Sequence, residues 1–285
     1  MTRTIAGAVD RGRARLAAVG IEAAGLEACV LFEHAAGLDR AALLARGREM
    51  VEPEAARRYE RLLEERARRV PLAYIMGERE FWSLRIRVDR RVLVPRPETE
   101  TLVEAALERL SSGARVADVG TGSGAVVIAL ALELGAGTFL GTDRSAAAIE
   151  VARANAAEHG LAGTIEFLEG DLLAPLAART GLLDALVSNP PYIPTAELGG
   201  LQPEVRDFEP RIALDGGFDG LALIERIVAG APPLLRCGGW LLLEIGAGQA
   251  DAVRALLRRT GCFDDVSARC DLAGIERVVM ARRAA

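Results

Sequence analysis

The sequence predicts an α/β protein: a doubly wound, mainly parallel sheet with helices on both faces, preceded by a small helical domain and a β-hairpin. Three observations predict it. Strand-like and helix-like segments alternate from residue 97 onward, a glycine-rich turn follows the first of those strands, and residues 5–70 carry helical spacing alone.

Residues 5–70 are rich in Ala, Leu, Arg and Glu. Leu26, Val30 and Leu31 mark one apolar helical stripe, and Leu43 with Leu44 another. Gly20, Gly25 and Gly37 divide the run into short helices, and residues 51–54 read as a helix start with Pro53 in the first turn. Residues 1–75 are therefore assigned to a helical domain. In residues 76–96 the period changes to two: Leu84, Ile86 and Val88 alternate with polar residues, and Val92 and Val94 follow a turn at 89–91. This predicts a β-hairpin linking the two domains.

Residues 97–285 make the α/β domain. Helices are predicted over 99–110, 125–134, 145–159, 221–235 and 250–259, with Ser145 placed as a cap. Strands are predicted over 115–119, 138–142, 165–168, 185–188, 240–245, 266–270 and 276–281, the last two as a hairpin that adds an antiparallel strand.

Composition narrows the chemistry. The 285 residues carry a net charge of −5, which argues against a protein that grips duplex nucleic acid by itself. All the basic residues are arginine, so lysine Schiff-base catalysis and a Walker-type phosphate lysine are excluded. Cys29, Cys237, Cys262 and Cys270 form no metal-binding spacing, and His34 and His159 read as structural, so no metal is expected. No apolar run is long enough to span a bilayer. The N-terminal segment lacks the continuous apolar core of a signal peptide, so a cytoplasmic location is expected.

The first strand of the α/β domain runs into AspValGlyThrGlySerGlyAla, residues 118–125. Gly120, Gly122 and Gly124, with Thr121 and Ser123 between them, let the backbone turn sharply and approach a ligand. Asp143, ending the next strand, is placed to accept hydrogen bonds from ribose hydroxyls. The loop also fits the dinucleotide pattern, so a nicotinamide enzyme stays open at this point. Asp118 favours S-adenosylmethionine, because a carboxylate there can face the cationic amino-acid end of that ligand. Asp171, after the third strand, is a candidate for the adenine amino group.

Ser188–Asn189–Pro190–Pro191–Tyr192 follows the fourth strand. Two prolines stiffen the chain into a fixed extended turn. That turn presents the Asn189 side-chain carbonyl and the Pro190 main-chain carbonyl side by side, two acceptors for the two hydrogens of one planar NH₂. Tyr192 offers an aromatic face for stacking. The lone pair of an amide or ring amine is delocalised. Two acceptors gripping its hydrogens draw the nitrogen toward tetrahedral geometry and aim the lone pair at a sulfonium methyl.

AsnProProTyr is shared by enzymes that methylate adenine in DNA and by those that methylate glutamine in proteins. The remainder resembles the second group, the HemK/PrmC family of peptide chain release factor glutamine methyltransferases, over nearly the whole chain. The segments that carry the resemblance are residues 71–77, Phe81–Trp82, ValProArgProGluThrGlu at 94–100, Glu209–Pro210, residues 213–221, and LeuGluIleGly at 243–246 with Gln249.

The resemblance implies a class I, Rossmann-like S-adenosylmethionine-dependent methyltransferase fold, with S-adenosylhomocysteine as product. Its helical domain would help recognise the release factor, and its catalytic domain would methylate the glutamine of the Gly-Gly-Gln loop. Gly120 to Gly124, Asp143 and Asn189 would contact the cofactor, Leu172 would pack beside adenine, and Asn189, Pro190, Pro191 and Tyr192 would bind the glutamine. Arg96 and Glu98 would shape the pocket rim or form a structural salt bridge. A monomer is expected, with no direct nucleic-acid or membrane partner. Two alternatives stand beside this reading: a nucleic-acid amino methyltransferase, and a binding module that has kept the cofactor fold without catalysis.

Overall fold

The structure, a computed structural model, describes residues 4–285. Residues 1–3, assigned above to the helical domain, lie outside the described residues. The chain forms two compact units: the N-terminal residues through Gly77 together with Gln202–Phe208, and Glu78–Leu201 together with Glu209–Ala285.

The helical unit contains α1 (Ile5–Ala18), α2 (Ala24–Ala36), α3 (Arg40–Ala45), α4 (Pro53–Ala67) and α5 (Leu72–Met76). Asp39 caps α3 by accepting from the Ala42 amide at 2.7 Å, and Glu52 caps α4, where Pro53 opens the first turn. Its core gathers Leu16, Leu31, Phe32, Tyr59 and Leu63. The Tyr59 hydroxyl donates to the Ala28 carbonyl, and its ring meets Phe32 edge-on at 5.0 Å. Leu26 and Leu44, expected on the apolar stripes, are exposed instead. The buried face of α2 runs through Ala24, Ala28, Leu31, Phe32 and Ala35, so alanines rather than the bulkier leucine carry much of the close packing.

A second segment joins this unit from far along the chain. Glu204, in the short helix Pro203–Phe208, accepts from Arg66 at 2.8 Å and from Arg69 at 2.7 Å, while Arg66 also pairs with Glu27. Arg66 is buried, so these pairs are shielded from solvent. No periodicity in residues 202–208 signals this excursion.

The second unit is built on a seven-stranded sheet. Its strands are β3 (Arg115–Val119), β4 (Thr138–Asp143), β5 (Ile165–Glu169), β6 (Leu183–Ser188), β7 (Leu235–Glu244), β8 (Phe263–Cys270) and β9 (Glu276–Arg283), in the order β5-β4-β3-β6-β7-β9-β8. The first five run parallel. β9 pairs antiparallel with β7, and β8 with β9, as the predicted terminal hairpin requires. Helices α6 (Glu100–Leu107), α7 (Ala125–Leu134), α8 (Ala146–Glu158), α10 (Ala222–Gly230) and α11 (Ala250–Thr260) connect the strands, α9 being the helix at Pro203–Phe208. Ser145 caps α8 as expected, accepting from the Ala148 amide. α10 is shorter than predicted, because the prolines at 232 and 233 intervene before β7 begins at Leu235.

The hairpin differs from its prediction. β1 (Glu78–Phe81) pairs with β2 (Leu84–Arg87) through a two-residue turn at Trp82 and Ser83, both at positive φ. That turn matches the twist of the flanking strands. Val92 and Val94 are buried but belong to no strand. The hairpin groups with the second unit. Asn155 of α8, fully buried, ties it there: its Oδ1 accepts from the Arg87 amide at 2.9 Å, and its Nδ2 donates to the carbonyls of Arg87 and Ser123 at 3.0 and 2.8 Å. One amide thus fastens hairpin, glycine loop and helix together.

Replacing Asn155 by Ala leaves these backbone groups without their partner in a buried site. The substitution is expected to lower unfolding free energy by about 2–4 kcal/mol, read by urea denaturation. A loss below about 0.5 kcal/mol contradicts the three-way tie.

Candidate active site

The sheet order reverses direction between β3 and β6: β4 and β5 lie on one side of β3, and β6 and β7 on the other. The loops leaving the carboxyl ends of β3 and β6 therefore diverge and open a crevice. The β3 loop is the glycine loop, and the β6 loop is AsnProProTyr. The Ser188 hydroxyl ties the two strand ends by donating to the Val119 carbonyl at 2.6 Å.

A cavity of about 630 Å³ opens there. Of the residues singled out from sequence, Gly120, Gly122, Asp143, Asp171, Leu172, Asn189 and Pro191 line it; Thr121, Ser123, Gly124, Pro190 and Tyr192 are outside the lining. Val92, Leu93, Ile212 and Leu223 add apolar wall that the sequence did not flag.

The glycine loop is held from below. Gly120 and Gly122 sit at positive φ with open space where a side chain would project. The amides of Gly120 and Thr121 both donate to the Thr142 carbonyl at 2.8 Å, and the Gly122 amide donates to Asp143 Oδ2 at 3.0 Å. Asp143 also accepts from the Ser145 amide at 2.9 Å, which leaves lone pairs on both oxygens for a ligand. Burial pushes the Asp143 carboxyl up, against those amide hydrogen bonds.

Asp118 departs from expectation. It is buried and outside the lining of this cavity; it accepts from the Thr121 hydroxyl at 2.7 Å, so it supports the loop from beneath. Burial raises its pKa to about 7. Asp171 lines the cavity but is half-exposed and paired with Arg226. Leu172 adopts a left-handed backbone at φ 49°, and its carbonyl accepts from the Thr142 hydroxyl at 3.1 Å. Arg96 Nη2 donates to both carboxylate oxygens of buried Glu209 at 2.7 Å, whereas Glu98 is exposed, and neither Arg96 nor Glu98 lines the cavity. Arg96 therefore forms a salt bridge, with Glu209 as its partner.

The AsnProProTyr turn is fixed on two sides. Asn189 Nδ2 donates to the Thr99 hydroxyl at 3.1 Å, so its Oδ1 remains as a free acceptor. Thr99 comes from the ProArgProGluThrGlu segment, which gives that motif a physical purpose. On the other side, residues 214–217 run beside the turn: the Ile193 amide donates to the Leu214 carbonyl, Gly216 to Ile193, and Thr195 to Gly217. The approach is so close that a Cβ on Gly216 would lie 2.8 Å from the Pro191 carbonyl oxygen, and one on Gly220 2.2 Å from that of Tyr192. Gln249 completes the clamp, with Nε2 donating to the Tyr192 carbonyl at 3.0 Å and Oε1 accepting from the Gly246 amide at 2.8 Å.

The chain is similar to known proteins. The PrmC N-terminal domain family matches residues 7–77, and a methyltransferase domain family matches residues 110–194. The release factor glutamine methyltransferase of Geobacter sulfurreducens is 45% identical over 98% of this chain and 96% of its own length. That of Moorella thermoacetica is 47% identical over 98% of this chain and 99% of its own. Among solved structures, a methyltransferase from Pyrococcus furiosus superposes with TM-score 0.56 at 16% identity, over 78% of this chain and 99% of that one, which speaks to fold alone. The chain belongs to the release factor glutamine methyltransferase family, and its second unit has the class I S-adenosylmethionine-dependent methyltransferase fold. Among the described residues no helix is long and apolar enough to cross a membrane, and no cluster of metal-binding side chains occurs.

Asp118 gives the fold a pH signature. Its folded pKa, about 7, exceeds the ordinary 3.8, so between those values the native state binds the extra proton and stability falls as pH rises. The stability of Asp118→Asn relative to the parent is expected to climb by about 1–3 kcal/mol between about pH 5 and pH 8. Urea titrations at the two pH values check this; equal differences contradict it.

Proposed function

We propose that this member of the family transfers a methyl group from S-adenosylmethionine to the side-chain amide nitrogen of glutamine in the Gly-Gly-Gln motif of peptide chain release factors. The observation that carries the proposal is the orientation of Asn189. Its amide nitrogen is committed to Thr99, so its Oδ1 is left to accept at the cavity wall, on the same rigid turn as the Pro190 carbonyl.

The residues present fit the cofactor. The bare glycine loop, the free lone pairs of Asp143 and the apolar surface of Leu172 line one cavity of suitable volume for a ligand of that size. Gly120 to Gly124 would hold the amino-acid end, Asp143 the ribose hydroxyls, and Leu172 with Asp171 the adenine. Leu172 packs against a ring without stacking on it. S-adenosylmethionine supplies the electrophilic methyl on its sulfonium.

The chain's own work is on the amide. Asn189 Oδ1 and the Pro190 carbonyl each take one hydrogen of the glutamine NH₂, which localises the lone pair and points it along the line of attack. The grip tightens as the nitrogen becomes tetrahedral and positively charged, so the transition state gains more than the ground state. Bound S-adenosylmethionine would supply the methyl carbon for the new bond to nitrogen, and its sulfur would keep the electron pair of the broken carbon–sulfur bond. The alkylated nitrogen is then strongly acidic, and one held hydrogen leaves as a proton to solvent. No strong base is needed.

The proposal assigns recognition of the release factor to the helical unit, and includes a cytoplasmic monomer. The four cysteines, all free, fit a reducing compartment.

Mass spectrometry of a release factor incubated with the protein and S-adenosylmethionine tests this. One added methyl on the Gly-Gly-Gln peptide is expected, with the rate falling by about 10²-fold or more in Asn189→Ala. An unmodified factor, with methyl appearing on an adenine-containing nucleic acid instead, overturns the substrate assignment.

A further inference from the structure

Glu244 closes β7 immediately beside the site, yet the chemistry above does not use it. Its side chain is fully buried, and neither carboxylate oxygen has a hydrogen bond of ordinary geometry. An unsatisfied carboxylate in a dry core is costly, and a structural role alone would be served better by Gln or Leu. Its surroundings explain its presence. A Cβ on Gly246, two residues along, would lie 3.1 Å from the Tyr192 ring, which places that ring at this strand end, and the hydroxyls of Thr99 and Tyr192 favour the charged form of Glu244 although neither is hydrogen-bonded to it. Arg277 of β9 also favours the charge, but it is already paired with Asp271 at 3.1 Å. Glu98 opposes the charge.

Thr99 is the residue that receives the Asn189 amide. A hydroxyl that accepts from Asn189 still has its own proton to place, and the nearby carboxylate is an acceptor for it. We propose that Glu244 is a positioning residue: it takes the hydroxyl protons of Thr99 and Tyr192, and so locks the Asn189 amide with Oδ1 toward the substrate while holding Tyr192 in place. The inference rests on the glutamine-methylation reading for its catalytic consequence. The contact between carboxylate and hydroxyls does not depend on that reading.

Burial raises the Glu244 pKa to about 7, so the locking form is the one present above neutrality. Activity should decline as pH falls through that range, because a protonated carboxyl has one fewer acceptor for the two hydroxyls.

Two readouts on the full chain test the proposal. Glu244→Gln keeps the shape and removes the charge; its kcat is expected to fall roughly tenfold or more with the KM for S-adenosylmethionine unchanged, and the decline toward acid pH should vanish. The second readout needs no activity. The chain has three tyrosines, so ¹³Cζ-tyrosine labelling gives three resonances, assigned with Tyr59→Phe and Tyr74→Phe. The Tyr192 signal should shift near pH 7 in the parent protein and stay flat in Glu244→Gln.

Absence of that shift in the parent overturns the contact. A shift accompanied by unchanged kcat and an unchanged pH profile in Glu244→Gln overturns the positioning role. A shift in a protein that methylates no glutamine retains the contact and removes the reaction reading, so the two failures are distinct.

Discussion

The parallel pairing of β3 with β6 at the point where strand order reverses is the constraint on which the site depends. Neighbouring strands there send their following loops in opposite directions, so a crevice at their carboxyl ends is unavoidable. The Ser188 hydroxyl on the Val119 carbonyl fixes the two strand ends side by side. One loop is made of glycines and presents bare backbone; the other is made of prolines and presents carbonyls at fixed angles. Methyl donor and methyl acceptor would each meet a loop of the right character, and their separation is set by the sheet rather than by flexible side chains.

Rigidity at this crevice is obtained with buried charge. Asp118 supports the glycine loop through Thr121, and Glu244 is buried unpaired at the end of β7, its charge favoured by the Thr99 and Tyr192 hydroxyls. Both carboxyls are pushed up to about 7, which means that both cost folding free energy when ionised. Such strain is expected where function rather than stability selects the residue. The glycines at 216 and 220 follow the same logic, since the segment that carries them passes too close to the AsnProProTyr backbone for any side chain.

Much of the fold was legible in the sequence because alternating β and α segments leave few topologies for a sheet. The strands from Arg115 to Ser188 lie within two residues of their predicted ends, and Ser145 caps its helix as expected. The hairpin was misread because its first strand, Glu78–Phe81, has no clean alternation, while buried Val92 and Val94 imitate one. Leu26 and Leu44 misled for a related reason: in alanine-rich helices the packed face is not marked by the largest residues. At the site, Asn189, Asp143 and the glycine loop carried local motifs. Thr99 and Glu244 did not, since their importance arises from elements that meet only in the folded sheet. The placement of Asp118 beneath the loop was likewise invisible, because sequence gives a residue's place along a strand but not which side its carboxylate faces.

The account turns on a planar amide held by two acceptors of one rigid turn. The most direct measurement is a crystal structure of the protein with S-adenosylhomocysteine and a Gly-Gly-Gln peptide bound. The glutamine side-chain nitrogen is predicted to lie at about 2.7–3.2 Å from both Asn189 Oδ1 and the Pro190 carbonyl oxygen, facing the sulfur. A peptide whose glutamine nitrogen contacts neither acceptor, or whose carbonyl rather than nitrogen faces the sulfur, contradicts it.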